Sequence, residues 1–215
     1  MKNKILYFSL ILFFGINTYN VSLATENSRF NKIIKKATKE QWSKLPYNDI
    51  VVKVGKEFLG VPYVGGTLDN SDTESCVIDL DRLDCVTYFE NCLAIADVIM
   101  TEDNPAFDQL YERVQYTRYR NGDIDGYESR LHYTADWIFD NIDKEIVNDI
   151  TSDLGGIPLD LHVNFMSQNA DKYPKLKGNK VLIEKIKKIE DDINLGQIYF
   201  IPKENVSGIM DQLQN

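Results

Sequence analysis

The sequence predicts an α+β fold in a single domain. Its clearest feature is an apolar helix from Cys85 to about Met100, with helical spacing also in segments before and after it. Extended segments that contain glycine and proline separate these helices, and Gly196–Pro202 has the pattern of a strand. Because the strands after Cys85 number only one or two, the fold is either mostly helical or its sheet is incomplete.

The Cys85–Met100 helix begins at a cysteine. Asp84 is a favoured N-cap residue, so Cys85 occupies the first helical position. The free N–H groups and the dipole of a helix N-terminus stabilise a thiolate, which is the nucleophilic form of cysteine. Cys85 is therefore the candidate nucleophile.

The helix carries one narrow polar stripe, which consists of Thr87, Glu90, Asn91, Ala94, Asp97 and Thr101. Cys85 lies almost opposite this stripe, so we expect its side chain to point into the body of the protein. The alternative for any single cysteine is an inert core thiol, and Cys92, on the same face, fits that description.

The residues before this helix predict two further helices. Arg29–Lys44 is basic and helix-permissive until Pro46, and a second helix starts at Asn48 or Asp49 and ends at Gly60. Val61–Leu68 is an extended turn because it contains a proline and paired glycines. The following residues form a polar loop and then a short strand or extended piece at Cys76–Leu80.

The residues after the helix alternate between helical and irregular patterns. Pro105 opens a helix, and a turn-rich loop at 119–128 leads into a loop and helix at 129–139. We expect Ile146–Leu154 to be extended and Phe165–Asn169 to be irregular. Lys180–Asp192 is an amphipathic helix.

The first residues form a targeting signal. Lys2 and Lys4 precede an apolar run from Ile5 to Ile16, and Ser22-Leu23-Ala24 is a small-x-small cleavage site. We interpret residues 1–24 as a signal peptide, with an uncleaved membrane anchor as the alternative. The mature protein is then periplasmic or secreted, without a stable membrane anchor.

The composition is acidic, with a net charge of −9 over 215 residues. This balance argues against nucleic-acid binding. The three cysteines cannot all pair internally, so at least one thiol is free. No cluster has the spacing of metal ligands, and we expect no metal and no cofactor.

The chain has only two histidines, His132 and His162. His132 lies in a loop with Arg130, Tyr133 and Asp136, a cluster that can bind a carboxylate or another polar group. We interpret His162, between two apolar residues, as structural.

Two motifs together resemble a known family. Tyr63-Val64-Gly65-Gly66 and Asp84-Cys85 resemble the Tyr-x-Gly-Gly and Asp-Cys pair of NlpC-type cell-wall peptidases. The sequence is more similar still to the N-acetylmuramoyl-L-alanine amidase-like proteins of papain-like fold, whose pattern also matches residues 119–122, 126–133 and 136–138. The resemblance covers the chain from about Gly60 onward.

The resemblance implies a papain-like (NlpC-type) cysteine hydrolase domain over residues 25–215. By position it makes Cys85 the nucleophile and Tyr63 and Asp84 wall residues that orient the peptide stem. The Cys85 backbone N–H then contributes to the oxyanion hole.

One element of the family pattern has no counterpart in this sequence. In such enzymes the catalytic base is a histidine in a Ser/Thr-His-Val-Gly-like strand well downstream of the cysteine. Neither His132 nor His162 stands in such a motif. We interpret the sequence as the N-terminal part of an amidase-like domain whose C-terminal part is missing.

The leading hypothesis is an exported cell-wall hydrolase that cleaves an amide bond of peptidoglycan through a thioester at Cys85. Its expected partners are peptidoglycan or muropeptides, bound by Tyr63, Asp84, Arg130, His132 and Tyr133 in one cleft. The alternatives are an NlpC-type stem-peptide endopeptidase and an inactive truncated remnant that binds muropeptides.

Overall fold

The computed structural model describes residues 28–160 and 162–210. The predicted signal peptide, residues 1–24, lies outside them. The described residues form a mostly helical α+β fold with the helices α1 (Ser28–Glu40), α2 (Tyr47–Lys56), α3 (Cys85–Thr101), α4 (Phe107–Arg118), α5 (Thr134–Asp143), α6 (Phe165–Gln168) and α7 (Lys180–Ile193), and the strands β1 (Ile157–Leu159) and β2 (Ile198–Phe200). No helix among these residues is both long and apolar enough to span a membrane.

Helix α3 begins at Cys85, as predicted, and a capping box fixes its start. Asp84 Oδ1 accepts a hydrogen bond from the Thr87 backbone N–H at 2.8 Å, and the Asp84 N–H donates to Thr87 Oγ1 at 2.9 Å. Two N–H groups at the helix entrance are thereby satisfied by side chains. This arrangement holds Cys85 in the first turn.

The main hydrophobic core lies between α3 and the helices α1, α2 and α4. Each of these helices buries a large side chain there, namely Phe30, Ile50, Ile95 and Leu110, and Trp42 joins them from the segment between α1 and α2. Burial of side chains of this size stabilises the fold by about 1.5–3 kcal/mol each. Helix α3 is thus covered by helices and not by a sheet.

The predicted orientation of α3 is wrong. Thr87, Glu90 and Asn91 of the polar stripe are buried, whereas Cys85 is exposed. The reason is that the stripe finds partners inside the protein: Glu90 pairs with Arg118 of α4, and Asn91 donates to the Thr87 carbonyl. Polar side chains that have hydrogen-bond partners can be buried, whereas the sequence prediction assumed that the polar stripe would face water.

The sheet consists of two short antiparallel strands, with Ile157 opposite Phe200 and Leu159 opposite Ile198. The strand expected in Gly196–Pro202 is confirmed as β2. Its partner is β1. We expected Ile146–Leu154 to be extended, but residues 151–155 form a turn and β1 starts only at Ile157. A side chain at Gly156 would lie 2.5 Å from the Thr151 carbonyl oxygen, so this turn requires glycine there.

Several other elements refine the sequence prediction. The first helix ends at Glu40, since Gln41 has a left-handed backbone conformation and a short 3-10 helix follows at Trp42–Lys44. Phe165–Gln168, expected to be irregular, forms α6. Cys76–Leu80, expected to be a short strand or extended piece, has no regular secondary structure and belongs to neither strand of the described sheet.

A second, smaller core joins the loop before α5 to α6 and α7. Its buried members are Tyr127, Met166, Leu176 and Ile186. This core supports the loop that carries Arg130, His132 and Tyr133.

Candidate active site

Cys85 is the exposed cysteine among the three in the chain. Cys76 and Cys92 are buried, and burial raises the pKa of these thiols to about 11 and about 12. A thiol with so high a pKa is almost entirely protonated at neutral pH and is a poor nucleophile. Accessibility therefore separates Cys85 from the other two, whose burial also disfavours the thiolate.

Tyr63 lies against the Cys85 side chain because the two segments that carry them are paired. The Val64 N–H donates to the Leu83 carbonyl at 2.9 Å, and the Leu83 N–H donates to the Pro62 carbonyl at 3.2 Å. Interaction with the Cys85 side chain, with smaller contributions from burial and from the charge of Asp84, raises the pKa of the Tyr63 phenol. The Tyr63 phenol therefore lies next to the thiol and the backbone N–H of Cys85 at the protein surface.

A shallow cleft of about 190 Å³ surrounds this point and is called the Cys85 cleft. Its lining is mostly apolar and consists of Phe58, Val61, Tyr63, Leu83, Asp84, Cys85 and Tyr88. Tyr63 is 74% exposed and stands at the edge of the cleft. The thiol is therefore reachable from solvent over an apolar surface.

A second cavity of about 190 Å³ lies on the other side of Asp84 and is called the His132 cavity. It is lined by Gly66, Leu68, Asp69, Asp84, Val86, Phe89, Glu90, Arg118, Arg130, Leu131, His132, Tyr133, Thr134 and Trp137. Asp84 lines both spaces, so the cleft and the cavity adjoin at the start of α3. All six residues predicted from the sequence line one of these two spaces.

His132 is oriented by its loop. Its Nε2 lies 2.8 Å from the Tyr127 carbonyl oxygen, and its ring lies 4.3 Å from the Tyr127 ring. Burial, with a further contribution from the Arg130 charge, lowers the pKa of His132 to about 4. At neutral pH the imidazole is uncharged, and its Nε2–H donates to the carbonyl.

Arg130 is buried, and its guanidinium is held by groups of the chain itself. It donates to Asp69 and to the Leu68 carbonyl oxygen, and Glu74 lies 3.6 Å away. These contacts connect the loop before α5 to the loop before α3. Direct contact of Arg130 with substrate stays a prediction.

Tyr133 joins the cavity to α7. Its hydroxyl donates to Glu190 Oε1 at 2.6 Å and accepts from the Met166 N–H at 2.9 Å. Burial and the bond to Glu190 raise the pKa of this phenol, so Tyr133 is a neutral group in the cavity wall.

Three residues of the cavity floor, Glu90, Arg118 and Trp137, were not predicted as site residues. Arg118 Nε donates to Glu90 Oε2 at 2.8 Å, and both side chains are almost fully buried. The signal in the sequence was a glutamate on the polar stripe of a largely apolar helix, because a buried carboxylate requires a cationic partner. Its partner lies 28 residues further along the chain.

The arrangement suits nucleophilic attack by sulfur on a carbonyl group. An accessible thiol sits at a helix N-terminus, where N–H groups favour negative charge. The described residues contain no group of three or more side chains that could hold a metal ion.

Comparison with models of known protein families identifies one matching family. The model of the AmiA-like family, described as N-acetylmuramoyl-L-alanine amidase-like, matches residues 53–215. No curated protein matches the chain.

Solved structures are similar to the same part of the chain. An N-acetylmuramoyl-L-alanine amidase from Bacteroides uniformis has a TM-score of 0.69 and 32% identity, over 74% of this chain and 66% of that one. A protein from Bacteroides fragilis, named as a candidate xylanase, has a TM-score of 0.66 and 33% identity, over 70% of this chain and 65% of that one. The chain thus spans slightly less than two thirds of the length of these two structures.

A Legionella pneumophila protein is more distant, with a TM-score of 0.55 and 17% identity over 86% of this chain and 64% of that one, and it supports the fold alone. The family model covers most of the chain, including both motifs around Tyr63 and Cys85. The chain therefore belongs to the AmiA-like family of N-acetylmuramoyl-L-alanine amidase-like proteins.

Proposed function

We propose that this protein is a peptidoglycan amidase that cleaves the bond between N-acetylmuramic acid and L-alanine through a thioester at Cys85. The observation that carries the proposal is the position of Cys85. It is exposed in the first turn of α3, beside Tyr63 and next to a cavity whose lining includes Asp84, Arg130 and His132. The family supplies the substrate class.

The reaction has two steps. The Cys85 sulfur attacks the lactyl carbonyl carbon, the carbon–nitrogen bond breaks, and the thiol proton leaves with the amine of L-alanine. Water then cleaves the thioester, which yields the lactyl carboxylic acid and restores the thiol. In this proposal the Cys85 backbone N–H donates to the oxygen that becomes negative in both steps.

The walls of the site orient the substrate in this proposal. The Tyr63 phenol is protonated at neutral pH, since its pKa lies above an ordinary value that is already alkaline, so it can donate a hydrogen bond beside the sulfur. Asp84 presents a carboxylate between the Cys85 cleft and the His132 cavity. Arg130, His132 and Tyr133 form the wall on the far side of that cavity and contact the muropeptide.

The site of action is outside the cytoplasm in this proposal. Residues 1–24 have the pattern of a signal peptide, and an acidic chain is compatible with a soluble exported enzyme. The peptidoglycan substrate lies in the same compartment.

The test is a product analysis with the purified chain and peptidoglycan. Amidase cleavage frees the α-amino group of L-alanine, and amine labelling followed by mass spectrometry identifies it. We expect Cys85→Ala to abolish this product and Cys92→Ala, a matched control with a buried thiol, to keep it. If new amino groups appear only on other stem residues, the protein is an endopeptidase and the proposal is wrong. If the protein binds muropeptides without any cleavage, it is a binding protein and the proposal is also wrong.

A further inference from the structure

The outer sides of α1 and α2 form one basic surface on an acidic protein, and this surface is called the lysine face. Arg29–Lys56 contains eight basic residues and two acidic ones, whereas the whole chain carries a net charge of −9. Phe30, Ile33 and Ala37 of α1 are buried, so the opposite side of this helix faces solvent. The lysines of the face are Lys32, Lys35, Lys36, Lys39, Lys53 and Lys56.

The two helices hold these lysines side by side. Lys36 of α1 pairs at 2.5 Å with Glu57, the residue after α2, and Lys53 of α2 lies 3.8 Å from Glu40 of α1. These contacts neutralise two of the six charges. The other four lysines form no ion pair with any residue that the structure describes, and they are Lys32, Lys35, Lys39 and Lys56. The face is therefore strongly positive.

The lysines of α1 do not serve the stability of the helix. All four lie on its solvent side, three or four residues apart, and like charges at this spacing destabilise a helix. The first turn of α1 also contains no acidic residue that would interact favourably with the helix dipole. Positive charge that is concentrated at a cost to the helix indicates a role in binding an anionic partner.

Two exposed aliphatic side chains indicate which anionic partner fits the face. Val52 is 55% exposed and Leu59 is 81% exposed, and both line one surface groove together with Lys56. A soluble polyanion gains nothing from aliphatic groups. An anionic lipid bilayer attracts lysines to its headgroups and also takes apolar side chains into its interface. The combination of lysines with exposed aliphatic groups therefore favours a membrane.

We propose that the lysine face binds reversibly to the surface of a membrane that contains anionic phospholipids, with Val52 and Leu59 entering the headgroup region. Each lysine close to such a surface strengthens binding about fivefold. Tyr88 lines both the groove beside Leu59 and the Cys85 cleft, so a membrane bound here lies near the candidate active site. The proposal does not depend on the proposed function, because binding is measured without hydrolysis.

Sedimentation with lipid vesicles tests the proposal. Residues 25–215 are used, because the apolar run from Ile5 to Ile16 would itself bind lipid, and they include every residue that the structure describes. Vesicles of phosphatidylglycerol and phosphatidylcholine in equal parts are compared with vesicles of phosphatidylcholine alone. We expect binding to the anionic vesicles only, and a loss of binding at high salt, which screens exposed charges. Equal binding to both kinds of vesicle, or none to either, would overturn the proposal.

A double variant tests whether the lysine face makes the contact. Lys35→Gln with Lys39→Gln removes two charges and keeps good helix formers, and should weaken vesicle binding at least tenfold. The matched control is Lys180→Gln with Lys187→Gln, which makes the same change of net charge at exposed positions of α7 and should have little effect. Equal losses in the two double variants would show that net charge alone matters, and would contradict the proposal.

A third variant separates a membrane from a soluble polyanion. Leu59→Ser changes an exposed side chain and should weaken vesicle binding severalfold. The same proteins are titrated with soluble poly-L-glutamate. Tight binding of poly-L-glutamate, with no effect of Leu59→Ser on vesicle binding, would show that the partner is a soluble polyanion and not a membrane. Cys85→Ala should bind vesicles as the wild type does, so a failure of the proposed hydrolysis is scored separately.

Discussion

Arg118 Nε lies 2.8 Å from Glu90 Oε2, and the two side chains are 2% and 1% exposed. This ion pair joins the end of α4 to the second turn of α3, directly beneath the His132 cavity. Burial raises the pKa of the Glu90 carboxyl, while the Arg118 charge and hydrogen bond oppose that rise. Removal of one partner leaves a buried charge without compensation.

We therefore expect Arg118→Met to lower the free energy of unfolding by about 3–5 kcal/mol. The double variant Glu90→Leu with Arg118→Met should recover most of this loss, because it removes both charges. Urea unfolding of the two single variants and the double variant measures the difference. Single variants within about 1 kcal/mol of the wild type would show that the pair is not buried as described.

A second prediction concerns pH and His132. Its pKa is about 4 in the folded protein against an ordinary value of 6.5, so the unfolded chain binds more protons between these pH values. The stability that depends on neutral His132 is present above pH 6.5 and is lost as the pH falls towards 4. The loss amounts to at most about 3 kcal/mol.

Unfolding free energies of the wild type and of His132→Gln between pH 4 and 7 test this prediction. The variant should lose part of the pH dependence, and His162→Gln, a change at an exposed histidine, is the matched control. Equal slopes in the wild type and His132→Gln would mean that His132 titrates alike in the folded and unfolded chains.

A third prediction separates the structural role of Asp84 from its charge. Asp84→Ala removes the side-chain acceptor of the Thr87 N–H and should cost about 1 kcal/mol of stability. Asp84→Asn keeps an acceptor at the N-cap and should cost much less. Both variants should reduce hydrolysis, because both remove the carboxylate that lies between the cleft and the cavity. Thermal unfolding and product release measure the two effects, and full activity in Asp84→Asn would exclude a role for the charge.

A fourth prediction concerns the phenol beside the thiol. Tyr63→Phe should leave stability unchanged, because the side chain is mostly exposed, and should lower kcat/KM about tenfold through the loss of one hydrogen bond. Tyr88→Phe is the matched control, since Tyr88 lines the same cleft but its hydroxyl is directed towards Cys92. Equal effects of the two variants would argue against a specific role of the Tyr63 hydroxyl.

Local signals in the sequence predicted the start of α3 and the residues around it. Asp84 is a favoured N-cap residue, so the position of Cys85 at the helix entrance followed from this one residue, and Thr87 completes the capping box in the structure. The strand at β2 was also predicted from local composition, whereas the second helix, expected to end at Gly60, ends at Lys56 because residues 57–60 form a turn. These features depend on neighbours in the sequence.

Features that depend on distant partners were not predictable in this way. The inward direction of Glu90 depends on Arg118, and the burial of Arg130 depends on Asp69 and Glu74 across more than 50 residues. Helical periodicity reports where polar residues lie on a helix, but it cannot tell a solvated face from a face paired inside the protein. For this reason Cys85 was placed on the wrong side of α3.

The most direct test of the central claim, that Cys85 is the nucleophile, is reaction with a limiting amount of a thiol alkylating agent near neutral pH. Peptide mapping by mass spectrometry then locates the adduct. The account predicts an adduct at Cys85 alone, with Cys76 and Cys92 modified only after unfolding, and loss of hydrolysis in proportion to labelling. Preferential labelling of Cys76 or Cys92, or full hydrolysis by protein labelled at Cys85, would contradict it.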